Sequence, residues 1–420
     1  MVVEGDQPYS LAFSVPGFGC NWTMEAPKEE SAAPVEPQQQ PETPEDAKEE
    51  KTNNENQATT TTDNKPNENK SFADTLPLSA ADGLIKTLFP RPLDDCRPSS
   101  PPELTAEEQT KYETVLKAVS EWTTIPTTSS KNAPTEPLTD DERMFLTREC
   151  LLRYLRATKW NVADAIQRLQ ATLTWRREYG VKEHTQEYIS VENETGKQII
   201  LGFDNSGRPC LYLNPARQNT EHSDRQIQHL VFMLERVIDL MGPDQESLAL
   251  LVNFKQTRSG QNATIGQGRQ TLHILQNHYP ERLGRALVIN MPLVILGFMK
   301  LITPFIDPRT REKLKFNEDL RQHVPPAQLW KAVNGDVEFE YDHASYWPAL
   351  NALAAQRREE YRERWNKGGK LVGEHENYLK GGPGKSRAET EVPNTARVEE
   401  KLEQLDVTDS PAAPAQPVAA

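Results

Sequence analysis

Residues 248–254 and 286–291 read Leu-Ala-Leu-Leu-Val-Asn-Phe and Ala-Leu-Val-Ile-Asn-Met. Neither run alternates apolar with polar, as a strand with one wet face would. Such runs are buried on both faces of a parallel sheet. Between them, Ile265, Leu272 and Leu275 mark a helix. Upstream, residues 198–203 and 209–213 flank Asp204-Asn205-Ser206-Gly207, a hairpin signal. Ser223 then opens a helix whose Ile227, Leu230, Val231, Leu234, Val237, Ile238 and Met241 follow helical periodicity. Strand, helix, strand, helix, strand in this order predicts an α/β fold with a mixed, mostly parallel sheet and covering helices.

Only part of the chain is expected to fold. Apolar residues are 36% of the 420 and prolines number 32, which leaves long stretches with too little apolar surface to order themselves. The formal charge of −14 is concentrated at the ends: residues 1–75 carry a net −10 and residues 370–420 a net −3, leaving about −1 between them. The expected organisation is an acidic disordered tail (1–75) and a helical preface with Pro-rich loops (76–139) that holds a helix at 107–122. A small helical subdomain (140–184), the α/β domain (185–345) and a C-terminal helix (346–369, from about Trp347 to Trp365) follow. A second disordered tail (370–420) contains Gly381-Gly382-Pro383-Gly384. Within the subdomain, Met144, Leu151, Leu152 and Leu155 suggest one helix, broken at Thr158-Lys159-Trp160. Asn161 can cap a second, with Val162, Ile166, Leu169 and Leu173 on its apolar face and Gly180 at its end.

Several functional classes drop out. Acidic tails around a neutral middle do not suit nucleic acid, whose phosphates need a basic face. Cys20, Cys96, Cys150 and Cys210 form no CxxC pair, which fits reduced cytosolic thiols better than disulfides. The first 22 residues carry Glu4 and Asp6 where a secretory signal needs bases, and no run reaches the roughly 20 apolar residues of a membrane span. Gly260, Gly266 and Gly268 come too late after a strand for a dinucleotide loop, and Thr271 replaces the third glycine. Gly384-Lys385-Ser386 lacks the strand and first glycine of a P-loop. There is no GxSxG or HExxH, and the spacing of His273 and His278 does not place them on one helix face. No catalytic residue, metal ligand or cofactor is expected.

The most informative stretch follows residues 286–291. From Pro292 to Ile306 the chain is apolar nearly all round, with Lys300 its one charge. Pro292 can open a helix. A helix without a polar face is either core on every side or a cover that exchanges one apolar environment for another. Its apolar run is too short to span a bilayer but sufficient to lie in the interface. Arg309, Thr310, Arg311 and Lys313 follow, and Glu281 precedes the strand. A cation and a hydroxyl suit a phosphodiester, and a carboxylate suits ring hydroxyls. By chemistry alone a surface ion-pair network accounts for the same residues.

Taken together, these segments resemble a known family. Leu151-Leu152-Arg153-Tyr154-Leu155-Arg156-Ala157 with Trp160 and Trp175-Arg176, then Gly207-Arg208-Pro209, Tyr279-Pro280-Glu281-Arg282-Leu283-Gly284, Ile289-Asn290-Met291-Pro292, Pro304-Phe305-Ile306-Asp307-Pro308, and Gly335-Asp336 with Phe339-Glu340-Tyr341-Asp342 resemble, in order and spacing, the CRAL-TRIO domain of fungal phosphatidylinositol transfer proteins, the Sec-fourteen-like family. The resemblance implies a sheet floor with covering helices and a gate helix, preceded by a small helical subdomain. It also implies a head-group clamp of Glu281, Thr310 and Lys313, and a gate that includes Pro292, Leu296, Phe298, Met299, Ile302 and Phe305. Thr158 stands where many relatives have an arginine that aids head-group binding, so the phosphate loses a donor unless Lys159 or Arg156 compensates. Arg156-Ala157-Thr158-Lys159-Trp160 resembles a subgroup linked to sterol metabolism and azole tolerance, which pairs phosphatidylinositol with sterol rather than phosphatidylcholine.

The expected function is non-catalytic exchange of phosphatidylinositol and a second lipid between membranes. The expected protein is a cytoplasmic monomer in transient contact with endoplasmic reticulum, lipid droplets or other internal membranes. A lipid-sensing adaptor is the alternative, and an α/β lipid hydrolase a weaker one that lacks a nucleophile signature.

Overall fold

The computed structural model describes residues 71–390, apart from 259, 262 and 293–307. A helical part comes first. Helix α1 (Ala106–Ser120) begins at a reciprocal capping box between Thr105 and Glu108, which satisfies two otherwise orphaned amides. A two-stranded ribbon follows, β1 (Thr124–Pro126) against β2 (Thr135–Pro137). Then come α2 (Asp140–Phe145), α3 (Arg148–Ala157) and α4 (Val162–Glu178). The single helix expected across Met144 to Leu155 is therefore two. The break falls at Leu146–Thr147, where the Thr147 hydroxyl accepts from the Cys150 amide and starts a new helix. Asn161 caps α4 as its sequence suggested. Val115, Ile125, Leu146, Leu151, Leu155, Leu169 and Leu173 share one core.

Helix α5 (Gln186–Asn193) leads into the main sheet. Its strands are β3 (Gln198–Phe203), β4 (Pro209–Leu213), β5 (Leu248–Asn253), β6 (Leu283–Ile289) and β7 (Leu314–Phe316), in that spatial order. Strands β3 and β4 form the expected antiparallel hairpin, and β4 to β7 run parallel. Helix α6 (Asp224–Asp239) connects β4 to β5, and α7 (Ile265–His278) connects β5 to β6. A short α8 (Pro308–Lys313) runs directly into β7. The order is that of a mostly parallel α/β sheet, as the apolar runs required.

Register sorts the sheet into two faces. Ile199, Tyr212, Leu251 and Leu287 align on one, and all four are buried. Tyr212 meets Trp330 edge-on there. On the other, Gln198, Leu213, Val252, Val288 and Phe316 form a row across all five strands. Helix α6 approaches this face, with His229 hydrogen-bonded to Gln198 at 3.3 Å.

Glutamine 328 ties three segments together. It is fully buried; its oxygen accepts from the Phe203 amide, and its nitrogen donates to the Leu78 and Arg91 carbonyls. The Pro-rich segment before α1 is thereby bound to the main core, to which it contributes Ile85, Leu88 and Phe89. Beside it, Gly202 has φ 71° at an irregularity in β3, and a methyl there would run into the Gln328 carbonyl.

Strand β6 starts three residues before and ends two before the expected 286–291, and two further boundaries differ from expectation. Helix α9 (His343–Lys367) starts before Trp347 and carries Pro348 inside it. Tyr346 in its first turns hydrogen-bonds both backbone groups of Ile200 on the sheet edge. The chain beyond residue 370, expected as tail, folds as far as Thr390 through α10 (Glu376–Leu379) and α11 (Arg387–Thr390). Composition misled because the ordering contacts are distant: Glu376 is buried against Arg153 at 2.8 Å. Within the Gly-rich stretch, the Gly384 amide donates to Asn377.

Gly202→Ala is expected to destabilise the fold by about 2–4 kcal/mol, from left-handed backbone strain plus the clash. Urea denaturation checks this; an unchanged midpoint would contradict the packing described.

Candidate functional site

The row on the α6 face is built like the floor of an apolar compartment. Leu213, Leu250, Val252, Val288, Leu314 and Phe316 are all partly exposed, whereas Tyr212, Leu251 and Leu287 behind them are sealed. Central strands of a parallel sheet are ordinarily covered on both faces. Across four interstrand gaps the row is about 19 Å long. Among the described residues there is also a cavity of about 1530 Å³, lined by Phe232, Arg236, His184, Arg357 and Arg358 among others. Glu281 and Lys313 are not in its lining, and its mixed arginines and carboxylates leave it without a dry wall. The apolar row is the drier of the two surfaces.

The turn from α7 into β6 is gripped by the helical part. Trp175 of α4 stacks on His278 with centroids 4.1 Å apart and planes 3° from parallel. His278 Nδ1 lies 3.1 Å from the Thr172 hydroxyl. The Tyr279 hydroxyl donates to Glu235 at 2.7 Å, and Arg176 holds the same carboxylate through both terminal nitrogens at 2.8 Å. Burial opposes the charge on Glu235, yet Arg176 overcomes it and keeps the carboxyl far below the usual carboxylate range. Burial and the adjacent Glu235 push the Tyr279 phenol well up. Arg282 is half-buried and donates to the Glu246 carbonyl at 2.9 Å.

Between these anchors stands Glu281, at φ 59°. Its carboxylate accepts from Arg156 Nε at 2.5 Å, and Arg156 reaches Glu246 at 3.1 Å. Glu281 and Arg156 each keep 32% side-chain exposure, so both face an opening. The signal for Arg156 was its place within the family-like run Leu151–Ala157 in α3; Glu246, in a loop before β5, offered no motif at all.

Lys313 ends α8 and is half-buried. Because Leu314 pairs with Ala286, Lys313 lies beside Arg285, four residues along from Glu281 and on the order of 10–15 Å from it. The structure brings both to the N-terminal ends of adjacent parallel strands without placing them next to one another. The Thr310 backbone lies in α8, and its side chain is outside the described residues. Of the gate positions, Pro292 is exposed and follows β6, while Leu296, Phe298, Met299, Ile302 and Phe305 lie outside the described residues. Thr158 closes α3, its hydroxyl donating to the Tyr154 carbonyl at 2.9 Å. Lys159 beside it is exposed, with φ 53°.

Cys96, Cys150 and Cys210 are buried free thiols. Among the described residues no His, Cys, Asp and Glu cluster could hold a metal ion, and no helix is long and apolar enough to cross a membrane. His273 and His278, expected to face apart, come to 6.3 Å between ring centroids because α7 ends at His278 and frees its side chain.

Burial, followed by the neighbouring His273, Arg168 and Arg176, lowers the His278 pKa from 6.5 to about 4. The folded state therefore binds this proton less readily than the unfolded chain. The contribution of His278 to stability is complete above pH 6.5 and is lost as pH falls from there toward about 4. His278→Phe keeps a ring on Trp175 without titrating. It is expected to flatten the decline of denaturation midpoint over that window; an unchanged slope would contradict the assignment.

Comparison with known proteins matches residues 193–335 to the CRAL/TRIO domain and residues 111–171 to the CRAL/TRIO, N-terminal domain. A CRAL-TRIO domain-containing protein of Schizosaccharomyces pombe is 52% identical over 303 residues, covering 72% of this chain and only 30% of that longer protein. Phosphatidylinositol transfer protein PDR17 of Saccharomyces cerevisiae is 43% identical over 262 residues, 60% of this chain and 75% of the relative. The solved structure of Sfh5 gives a looser likeness, with a TM-score of 0.39 and 16% identity over 53% of this chain and 84% of that one. With both domains matched in order and three quarters of a 43%-identical relative covered, the chain belongs to the CRAL-TRIO family.

Proposed function

We propose that this protein binds phosphatidylinositol and carries it between membranes, with no covalent change to the lipid. The observation that carries the reading is the placement of Glu281 and Lys313 at neighbouring strand ends, on a sheet with a partly exposed apolar row. It is supported by 43% identity to a relative named as a phosphatidylinositol transfer protein. Acyl chains lie along Leu213, Leu250, Val252 and Val288. The Glu281 carboxylate accepts from inositol hydroxyls, and Lys313 with Thr310 donates to the phosphate. Arg156 already holds Glu281, so the head group shares or displaces that ion pair. With Thr158 turned into its own helix end, Arg156 and Lys159 are the cations near enough in sequence to replace the missing donor.

The apolar segment from Pro292 through Leu296, Phe298, Met299, Ile302 and Phe305 acts as the gate, exchanging contact with the bound lipid for the bilayer interface. The second lipid is a sterol in preference to phosphatidylcholine, and exchange influences phosphoinositide and sterol metabolism. The protein works as a monomer in the cytoplasm, in transient contact with endoplasmic reticulum or lipid droplets. A nearly neutral folded part suits brief contact, because a permanent electrostatic anchor slows release.

Transfer of labelled phosphatidylinositol between vesicles tests this. The unmodified chain is expected to transfer it, and Glu281→Gln and Lys313→Ala each to slow transfer about 10- to 100-fold, the worth of a charged hydrogen bond. No transfer by the unmodified chain would end the reading; unchanged variants would reject the clamp alone.

A further inference from the structure

An unbroken alternation of charge leads from Glu281 to the far end of the folded chain. Arg156 bridges Glu281 at 2.5 Å and Glu246 at 3.1 Å. Glu246 is shared with Arg153 at 2.7 Å, and Arg153, only 3% exposed, turns its other nitrogen to Glu376 at 2.8 Å. Glu376 is closed off by Lys380 at 2.8 Å and by the Thr147 hydroxyl at 2.9 Å. Six side chains from α3, the loop before β5, the α7–β6 turn and α10 thus form one line.

The line has a stiff end and a loose end. Glu376 and Arg153 are buried, whereas Arg156 and Glu281 are each about one third exposed. Burial opposes the charge on Glu376, but Arg153, then Lys380 and Arg282, hold its carboxyl well below the usual range. An arginine packed this deeply cannot lose its carboxylate without reorienting. Arg153 would then draw more fully on Glu246, loosening the grip of Glu246 on Arg156. The Arg156 fork, freed at one side, would no longer fix where Glu281 points.

The geometry points to residues 375–380 as a positioning element of the inositol head-group site, with Glu376 acting on Glu281 through Arg153, Glu246 and Arg156. This rests on the function proposed above. Glu376 and Arg153 act as positioning residues, without touching the lipid, by way of the Arg156–Glu281 pair.

The experiment uses the full chain with Glu376→Gln and, separately, Arg156→Lys. Lysine keeps the charge but, as a single point donor, cannot fork between two carboxylates. Phosphatidylinositol transfer is measured from phosphatidylcholine vesicles containing a graded fraction of phosphatidylinositol. Each variant is expected to raise the fraction giving half-maximal transfer by about tenfold, one charged contact, with the maximal rate nearly unchanged. The double variant should be no worse than the poorer single one. A fall in maximal rate at unchanged half-saturation, or losses that multiply in the double variant, would overturn the proposal. Should Glu376→Gln fail to fold, Glu376→Asp, which keeps the charge but shortens the reach to Arg153, takes its place with the same expected rise. Transfer by the unmodified chain with an unchanged half-saturation in Arg156→Lys refutes the positioning role only; no transfer by the unmodified chain refutes the function as well.

Discussion

Arg176 places two nitrogens on Glu235, and Tyr279 adds its hydroxyl to the same carboxylate. This contact joins α4, α6 and the turn into β6, three pieces far apart in the chain. A buried carboxylate is costly unless paired and hydrogen-bonded. Here the pairing comes from one side and the hydrogen bond from the other, so the helical part and the sheet satisfy it jointly. Loss of Arg176 would leave the Glu235 carboxylate without its counter-charge. The Trp175–His278 stack and the Arg282 anchor repeat the arrangement on each side of Glu281. Glu281 can therefore hold a left-handed backbone and a partly exposed carboxylate together, a combination that a free loop would relax.

The sheet was legible because its information is local. Residues 248–254 and 286–291 are apolar nearly throughout, and no distant partner is needed to see it; that β6 begins earlier, at Leu283, follows from its pairing with β5. The hairpin at Asp204–Gly207 and the cap at Asn161 are equally local. Thr147 was just as readable as a cap in retrospect, since its hydroxyl serves the amide three residues on; a helical spacing running through it hid the break. Residues 371–390 were not readable. Their composition is that of a tail, and order comes from Arg153 and Glu149, more than two hundred residues away.

The candidate site divides along the same line. Glu281, Thr310 and Lys313 came from chemistry that fitted an ion-pair network as well as a clamp, and resemblance to a family chose between them. The structure adds that Glu281 is already in an ion pair, with Arg156. The two readings are thus compatible: the network is what a head group would meet. The apolar row on the sheet was implied only as part of a buried strand. That one face of it stays partly exposed emerges only once the strands are assembled in register, which no single segment reveals.

The central claim is that the folded chain encloses one inositol phospholipid. Native mass spectrometry of the purified 47.5 kDa chain, after incubation with vesicles containing phosphatidylinositol, measures this directly. The account requires a species heavier by one phospholipid, identified as phosphatidylinositol on fragmentation. A chain that remains at its bare mass under those conditions, with no lipid in its extract, would contradict it.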